Sequence, residues 1–264
     1  MALSHRSGIA LSGVSAISGI AKASIAAING QTVGAGGGGS LSLTLLQQTT
    51  SSDGFGTGAY TPASFTPTAG RRLIVVIDAQ SVSADALAGG DITITDSDSS
   101  ITSWTAIIAS TTHPGSWGYG TRAFVSDQGA SGASMTVSAD CGAFSVENYR
   151  VTVWEVENYG GIGGTAVGSD SGGGAASITL SQAPLTSSIV IGAINVTLSG
   201  GTSSATEGAD FTEVTSSDVT RTDWWNFQKQ ARTGSTSTTV GWQDTTTGGT
   251  ALGCTLIAFE ILQA

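Results

Sequence analysis

Short segments in which apolar and polar residues alternate fill the chain from residue 41 onward, and they constrain the fold more than any other feature. In Leu41-Ser42-Leu43-Thr44-Leu45-Leu46, apolar residues recur at every second position before the final pair. This spacing places one face of a β-strand in a core and the other in solvent. Turn sequences rich in glycine, such as Gly89-Gly90 and Ser199-Gly200-Gly201, separate the segments. The pattern predicts an all-β fold of the sandwich or barrel type.

The predicted strands form two series with a similar pattern. They cover residues 41–46, 72–79, 91–95, 103–109, 121–126, 133–139 and 149–157, then 176–181, 187–198, 211–216, 223–231, 236–242 and 252–262. Leu73-Ile74-Val75-Val76-Ile77 matches the stretch that starts at Ile189, and Trp154-Glu155-Val156 matches Phe259-Glu260-Ile261. We therefore expect residues 41–264 to form a jelly-roll-like antiparallel β-sandwich with two similar halves of four strands. Two small stacked sandwiches are the alternative.

The composition agrees with a fold of strands and tight turns. Charged residues make up 11% of the chain, against about 25% in an ordinary soluble domain. Serine, threonine and 38 glycines replace them, and all three residue types are unfavourable in helix interiors. The stretch Gly160-Gly161-Ile162-Gly163-Gly164 lacks the lysine and the helix of a phosphate-binding loop, so we interpret it as an ordinary loop.

Residues 1–33 differ from the rest because their apolar residues keep neither a strand nor a helix period for long. Glycines break any continuous helix, yet the segment contains too many Ile and Val residues for a solvated tail. We expect it to be an extended anchoring segment that buries these residues on a partner, with simple N-terminal disorder as the alternative. The residues predicted to dock are Ile9, Leu11, Val14, Ile17, Ile20, Ile25 and Ile28. Residues 34–40 are predicted to form a flexible glycine-rich linker.

The net charge of the chain disfavours some classes of binding partner. The formal net charge is −10, which argues against nonspecific binding of nucleic acid or of anionic membranes. Residues 1–50 contain Arg6 and Lys22 and no acidic residue, so the two parts of the chain differ electrostatically. No run of 18 apolar residues predicts a membrane span. Serine and glycine interrupt the N-terminal apolar run, so we do not expect a signal peptide.

The sequence offers little for catalysis. Of the two histidines, His113 lies beside a Pro-Gly turn, and no Gly-x-Ser-x-Gly motif supplies a nucleophile for it. Asp96-Ser97-Asp98 lacks the glycine and the distal glutamate of a calcium loop. Cys141 and Cys254 lie in or beside apolar strands and are expected to be buried free thiols. We predict no catalytic residue, no metal site and no cofactor.

Two further sets of residues could have either a structural or a functional role. Glu155 and Glu157 alternate on one predicted strand and would share a face, as the paired carboxylates of a glycan hydrolase do, although outward solubilising charges are the favoured interpretation. Aromatic residues with polar neighbours could stack on sugars, with core packing as the alternative. The residues chosen for a glycan site are Trp117, Tyr119, Trp225 and Asn226.

The segment from Ile17 to Gly30 contains Gly19-Ile20-Ala21-Lys22 and Ser24-Ile25-Ala26. It resembles an N-terminal pattern of tailed-phage and prophage structural proteins, "GIAK-x-SIA-x-INGV" before a glycine-rich linker, with Gln31 in place of the final valine. The body is similar to phage-encoded jelly-roll domains. The stretches that carry this similarity are Pro67-Thr68-Ala69-Gly70, Leu73-Ile74-Val75-Val76, Trp104 and Val153-Trp154-Glu155-Val156-Glu157-Asn158-Tyr159-Gly160.

The resemblance implies a non-enzymatic virion protein made in the cytoplasm of a host bacterium: a head fibre, a capsid decoration or a tail-tip knob. Residues 1–40 would bind other virion proteins, and the body would contact host-surface glycans or only decorate the particle. A free carbohydrate-binding module and, less favoured, a glycan hydrolase using Glu155 or Glu157 are the alternatives. The few charges on the predicted outer faces leave strand edges prone to pairing, so we also expect a homo-oligomer, with a trimer as our hypothesis.

Overall fold

A computed structural model describes residues 16–17, 20–21, 27–28, 31–32, 39–51, 56–81, 87–111, 118–170, 175–199, 205–213, 225–244 and 250–264. The chain divides into two compact units, Met1–Gly39 with Ala264, and Ser40–Gln263. Among the described residues, no helix has the length and the apolar character needed to cross a membrane. Their only helical segment is a single 3-10 turn, Gly89–Asp91.

The described residues of the first unit form two very short antiparallel strand pairs. Strand β1 (Ala16–Ile17) pairs with β2 (Ile20–Ala21), and β3 (Ala27–Ile28) pairs with β4 (Gln31–Thr32). Strands of two residues agree with the sequence of this segment, in which no strand period lasts.

The second unit is built from fifteen described strands, and every pair among them is antiparallel. Those of the first half are β5 (Ser42–Thr50), β6 (Arg72–Ser81), β7 (Thr93–Asp96), β8 (Trp104–Ala109), β9 (Tyr119–Ser126), β10 (Val137–Asp140) and β11 (Val146–Glu157). Those of the second half are β12 (Tyr159–Asp170), β13 (Ala176–Thr179), β14 (Ile189–Ser199), β15 (Ala205–Glu207), β16 (Thr212–Glu213), β17 (Trp225–Thr233), β18 (Thr239–Asp244) and β19 (Thr250–Gln263). The predicted all-β antiparallel sandwich is confirmed.

The two halves repeat one strand order. The first half has a five-stranded sheet, β5-β11-β6-β9-β8, and a small sheet, β10-β7. Isolated bridges from Tyr60 to Ala139 and from Phe65 to Met135 add a further chain segment to the small sheet beside β10. The second half has β12-β19-β14-β17-β16 and β13-β18-β15. Counted within each half, the eight segments lie in the order 1-8-3-6-5 and 2-7-4, as in a jelly roll.

The duplication expected from the sequence is therefore present, but each half is a complete sandwich. The structure has the alternative arrangement, two stacked sandwiches, instead of one jelly roll built from both halves. The reason is that the repeat matched in the sequence covers four strands per half, whereas each half has eight segments that repeat. The segments that the sequence did not identify include β15, which has only three residues, and the chain around Tyr60 and Phe65, which joins its sheet through isolated bridges.

Three apolar cores explain the stacking. One lies inside each sandwich, and the third lies between the two five-stranded sheets. Along β6, Leu73, Val75 and Ile77 point into the first sandwich, whereas Ile74 and Val76 pack in the third core. A strand buried on both faces needs an uninterrupted apolar run, which explains why this stretch does not alternate.

The register shows which residues correspond in the two halves. Glu155 lies opposite Leu73, and Glu260 lies opposite Val190. Leu73 therefore corresponds to Val190, one position beyond the match to Ile189 that the sequence suggested. The shift follows from burial, because Leu73 and Val190 both face their own sandwich while Ile189 faces the other sheet.

The glycine-rich stretch at residues 160–164 is also a correction, because it lies within the edge strand β12 and not in a loop. The register of β12 against β19 shifts between Tyr159 and Gly161 and again between Ile162 and Thr165. A Cβ atom at Gly163 would lie 2.1 Å from a carboxylate oxygen of Glu260. Glycine is needed here because a neighbouring side chain fills the place of a Cβ.

Candidate functional site

The residues chosen for a glycan site are only partly described. Tyr119 begins β9 and exposes 3% of its surface, so its ring presents no open face to a ligand. Trp225 and Asn226 begin β17, but their side chains lie outside the described residues, as does the whole of Trp117. The structure therefore does not bring these four side chains together as a described site.

The predicted docking residues fall in the first unit. Ile17, Ile20 and Ile28 belong to the short strands β1, β2 and β3. Their side chains lie outside the described residues, and Ile9, Leu11, Val14 and Ile25 do so entirely.

The two carboxylates considered for a hydrolase are joined by one arginine. Arg71 places Nη1 at 2.6 Å from Glu155 Oε1 and Nη2 at 3.0 Å from Glu157 Oε2. Glu155 also accepts hydrogen bonds from the backbone N–H and the hydroxyl of Thr68, at 2.7 and 3.0 Å. Both carboxylates share a face, as predicted, but Glu155 is buried instead of solvated. With its oxygens occupied in this way, Glu155 fastens the segment before β6 to β11.

In the second half, Glu260 makes equivalent contacts, but its partners include no arginine. Glu260 accepts hydrogen bonds from the backbone N–H groups of Leu185 and Gly164, at 2.8 and 3.0 Å. Desolvation by burial raises the pKa of Glu260, but hydrogen bonds from these backbone groups and from the side chains of Ser188 and Gln182 outweigh it and hold the pKa below the usual value. The two glutamates therefore have equivalent structural roles.

The carboxylates of Asp96 and Asp98 accept hydrogen bonds that hold neighbouring loop segments in place. Asp96 accepts from Trp104 Nε1 at 2.7 Å, and Asp98 accepts from the backbone N–H groups of Ser100 and Ser131 at 2.9 and 2.7 Å. Desolvation raises the pKa of Asp98, and the hydrogen bonds lower it below its usual value on balance. Within the described ranges, no group of three or more His, Cys, Asp or Glu residues is placed to hold a metal ion.

The histidine and the cysteines give no reactive centre in the described part of the chain. His113 lies outside the described residues. Cys141 and Cys254 are buried, and no disulfide joins them, as predicted. Desolvation by burial raises the pKa of Cys141 to about 11, so its thiol stays protonated at neutral pH.

A set of buried polar residues lies between the two five-stranded sheets, at one end of the third core, and we call it the inter-sheet polar cluster. Each member exposes at most 3% of its surface. The members are Asp78, Gln80, Thr121, Asn148, Arg150, Thr152, Asn195, Lys229 and Thr255. They come from β6, β9, β11, β14, β17 and β19, so both halves contribute.

Two contacts in this cluster join the halves. The Nζ of Lys229 donates to the carboxylate of Asp78 in a short hydrogen-bonded ion pair, and Thr121 donates to the same carboxylate at 2.9 Å. Arg150 Nη1 donates to the backbone carbonyl of Phe227 at 2.9 Å. Because a buried charge without its partner is costly, the ion pair fixes how the sheets align.

A pattern in the sequence marks this cluster. Polar residues recur at every second position where apolar strands continue, as in Asp78 and Gln80 after Ile74 and Val76. Such a change on one face of a strand marks a polar patch. Whether that patch faces solvent or another sheet depends on tertiary packing, which the pattern does not encode.

A cleft lies at the small sheet of the second half, and we call it the β18 cleft. Its volume is about 330 Å³, within the usual range for ligand sites. The residues that line it include Ser177, Asp210, Arg232, Thr239, Trp242 and Gln243. The sequence pattern predicts the strand that contains Trp242, but it does not predict the turn at Asp210, which also lines the cleft. Comparison of the chain with protein-family models, with curated proteins and with solved structures gives no match.

Proposed function

We propose that this chain is a non-catalytic structural protein of a bacteriophage particle. Residues 1–33 attach it to neighbouring virion proteins, and the double sandwich projects from the particle and contacts glycans of the host surface. The observation that carries the proposal is the division of the chain into two compact units between Gly39 and Ser40, at the end of the predicted linker. An anchor and a body joined by a flexible linker would divide in this way.

The two units differ in how far their apolar residues are buried within the chain, which supports different roles for them. The body has a core inside each sandwich and a third between them, so its apolar residues are largely used. The described strands of the first unit are two residues long, and a two-stranded pair of this size is not stable alone. Its many isoleucines need a surface to cover them, and virion proteins are the partners that the sequence resemblance suggests.

The buried polar groups of the body support a non-catalytic role. The carboxylate of Glu155 is held by Arg71 and Thr68, and Glu260 is held by backbone N–H groups. A general acid or base must reach the proton it transfers, and these oxygens already accept hydrogen bonds from the chain itself.

Incorporation into particles tests the anchor. Particles would be assembled with a variant as the only source of the protein, purified, and analysed by mass spectrometry. We expect deletion of residues 2–33 to abolish incorporation and Ile17→Asp with Ile20→Asp to reduce it strongly, because a charge cannot be buried without a partner.

Ser15→Asp with Ser24→Asp is the matched control, since it adds the same charge to the same segment without removing an isoleucine. Incorporation of this control at the wild-type level would assign the loss to the isoleucines. The proposal is wrong if the protein lacking residues 2–33 still enters particles at the wild-type level.

A further inference from the structure

We propose that the inter-sheet polar cluster binds ordered water molecules, which bridge the two sandwiches by hydrogen bonds. The site lies between the two five-stranded sheets, beside the apolar residues of the third core. Its amide and hydroxyl residues each expose at most 3% of their surface. The residues that carry the inference are Gln80, Asn148, Thr152, Asn195 and Thr255.

Several polar atoms of these residues have no partner among the residues that the structure describes. Both polar atoms of the Asn148 amide, and both of the Asn195 amide, are buried and lack a hydrogen-bond partner there. The same holds for the hydroxyls of Thr152 and Thr255 and for the Oε1 of Gln80. Buried polar atoms are nearly always satisfied by protein or by ordered water, so a set of them in one layer requires a common partner.

The alternation of side chains along each strand directs these groups into the gap between the sheets. On β11, Tyr149 packs inside the first sandwich, so its neighbour Asn148 faces the second half. On β14, Val196 packs inside the second sandwich, so its neighbour Asn195 faces the first half. The two amides therefore point toward the opposite sheet and not into solvent.

A direct contact brings the polar groups of both sheets to the same region of the layer. Arg150, two positions from Asn148 on β11, donates to the backbone carbonyl of Phe227 at 2.9 Å. Phe227 lies opposite Asn195 in the second sheet, and Asn195 lies opposite Thr255. The amide and hydroxyl groups of the two halves are thus gathered around one contact, where a small ligand can reach both.

The atoms without a partner include donors and acceptors, and this mixture identifies the ligand. The Nδ2 atoms of Asn148 and Asn195 donate, their Oδ1 atoms and Gln80 Oε1 accept, and the hydroxyls of Thr152 and Thr255 do both. A water molecule also does both, and a buried one makes about three hydrogen bonds. An anion would satisfy only the donors, and a cation only the acceptors.

The ion pair of the cluster does not need the water. Asp78 accepts from Lys229 and from Thr121, so its carboxylate is satisfied by direct contacts. The water therefore lies beside the ion pair, around the amides, and not between the two charges.

Small residues beside the cluster leave room for a ligand of this size. On β14, Ala193 precedes Asn195 by two positions and shares its face, and on β19 Gly253 precedes Thr255 in the same way. Alanine extends only a methyl group into the gap, and glycine extends nothing. A buried water needs polar partners and the space of about one molecule, and the second sheet offers both at these positions.

The first test detects long-lived internal water in the full chain. Magnetic relaxation dispersion of water oxygen-17 would be measured for the wild type and for Asn195→Leu with Thr255→Val, which replaces both polar groups by apolar ones of similar size. We expect a dispersion in the wild type and one smaller by at least one water molecule in the variant. Thr105→Val, at an exposed threonine of β8, is the matched control and should leave the dispersion unchanged. Equal dispersions in the wild type and the double variant would overturn the inference.

A crystal structure of the unsubstituted chain is the second test, and it does not depend on how a variant folds. We expect ordered waters at hydrogen-bond distance, about 3 Å, from the amide atoms of Asn148 and Asn195. Direct hydrogen bonds between the register neighbours, Asn148 with Gln80 and Asn195 with Thr255, and no water between the sheets would refute the proposed site.

Discussion

Lys229 and Asp78 are two opposite charges buried between the sheets, exposed by 0% each. Removing one of them leaves the other without its partner in a site that water does not reach. We expect Lys229→Met to lower the free energy of unfolding by about 3–5 kcal/mol in chemical denaturation, because methionine also lacks the Nζ–H donor that even a neutral lysine offers to Asp78.

The double variant Asp78→Asn with Lys229→Met should restore most of this loss, because an amide in place of the carboxylate has no charge to compensate. Near-identical losses in the single and the double variant would contradict a direct interaction between the two residues. Thr121 can still donate to the residue at position 78 in both proteins.

The same lysine makes stability depend on pH. Desolvation, opposed by Asp78 and assisted by Arg150, lowers the pKa of Lys229 from 10.5 to about 8. Between pH 8 and pH 10.5 the unfolded chain therefore binds more protons at this residue than the folded chain, so its contribution to stability rises with pH. The destabilisation is fully present below pH 8.

Denaturation of the wild type and of Asp78→Asn with Lys229→Met at pH 7.5 and pH 10 isolates this effect, because other groups titrate equally in both. We expect the wild type to gain up to about 3 kcal/mol relative to the double variant over that interval. A difference that stays constant, or that falls, would show that Lys229 is not held in a desolvated site.

Glu155 and Glu157 form a matched pair, because both bind Arg71 but only Glu155 is buried. We expect Glu155→Gln to lower the free energy of unfolding by about 2 kcal/mol, since a buried charged hydrogen bond to Arg71 is lost. Glu157→Gln should change it by less than about 0.5 kcal/mol, because solvent screens an exposed pair. Equal effects in thermal denaturation would contradict the difference in burial.

Strand β14 shows how an element adapts to the strands around it. Gly192 stands where the ring of Trp242 and the side chain of Val240 approach, and a Cβ there would lie 2.8 and 2.9 Å from them. Both neighbours are buried, so they cannot move away freely.

We expect Gly192→Ala to destabilise the protein by about 1–3 kcal/mol through overpacking and to shift the fluorescence of Trp242. Gly90→Ala is the control, because nothing lies within 4 Å of a Cβ at that position. A stabilised Gly192→Ala protein would mean that the core between β14 and β18 has spare room.

How far the sequence predicts an element depends on its length and on what covers its faces. The regions of β6, β11, β14 and β19 were identified because long apolar runs are visible in any sequence. Strand β12 was missed because glycine hides its period, and Glu260 makes that glycine necessary only after folding. The β18 cleft was missed because it depends on the turn at Asp210, which brings residues distant in the sequence together.

At the scale of the molecule, the third core links the stability of the two sandwiches. Ile74, Trp154, Ile191 and Phe259 are each 0% exposed, and they come from both halves. If one sandwich unfolded alone, it would expose the apolar face of the other. We therefore expect a single cooperative transition for residues 40–263 in calorimetry, with equal van't Hoff and calorimetric enthalpies. Two separate transitions would show that the third core contributes little.

The sequence predicts that the chain contains two similar halves, but it does not predict whether they form one sandwich or two. Matching Trp154-Glu155-Val156 to Phe259-Glu260-Ile261 identified equivalent strands correctly. Whether four strands per half make one sandwich or eight make two depends on the short strands of the small sheets. Those strands are defined by hydrogen bonds to distant segments, and local sequence does not show such pairings.

A single residue, Asn158, separates the last strand of one sandwich from the first strand of the next. A gene encoding one sandwich alone would produce a subunit with an apolar sheet exposed, and two such subunits would associate as a symmetric dimer. Joining them in one chain frees each partner from that symmetry. Asp78 can then face Lys229 without a second, reciprocal pair.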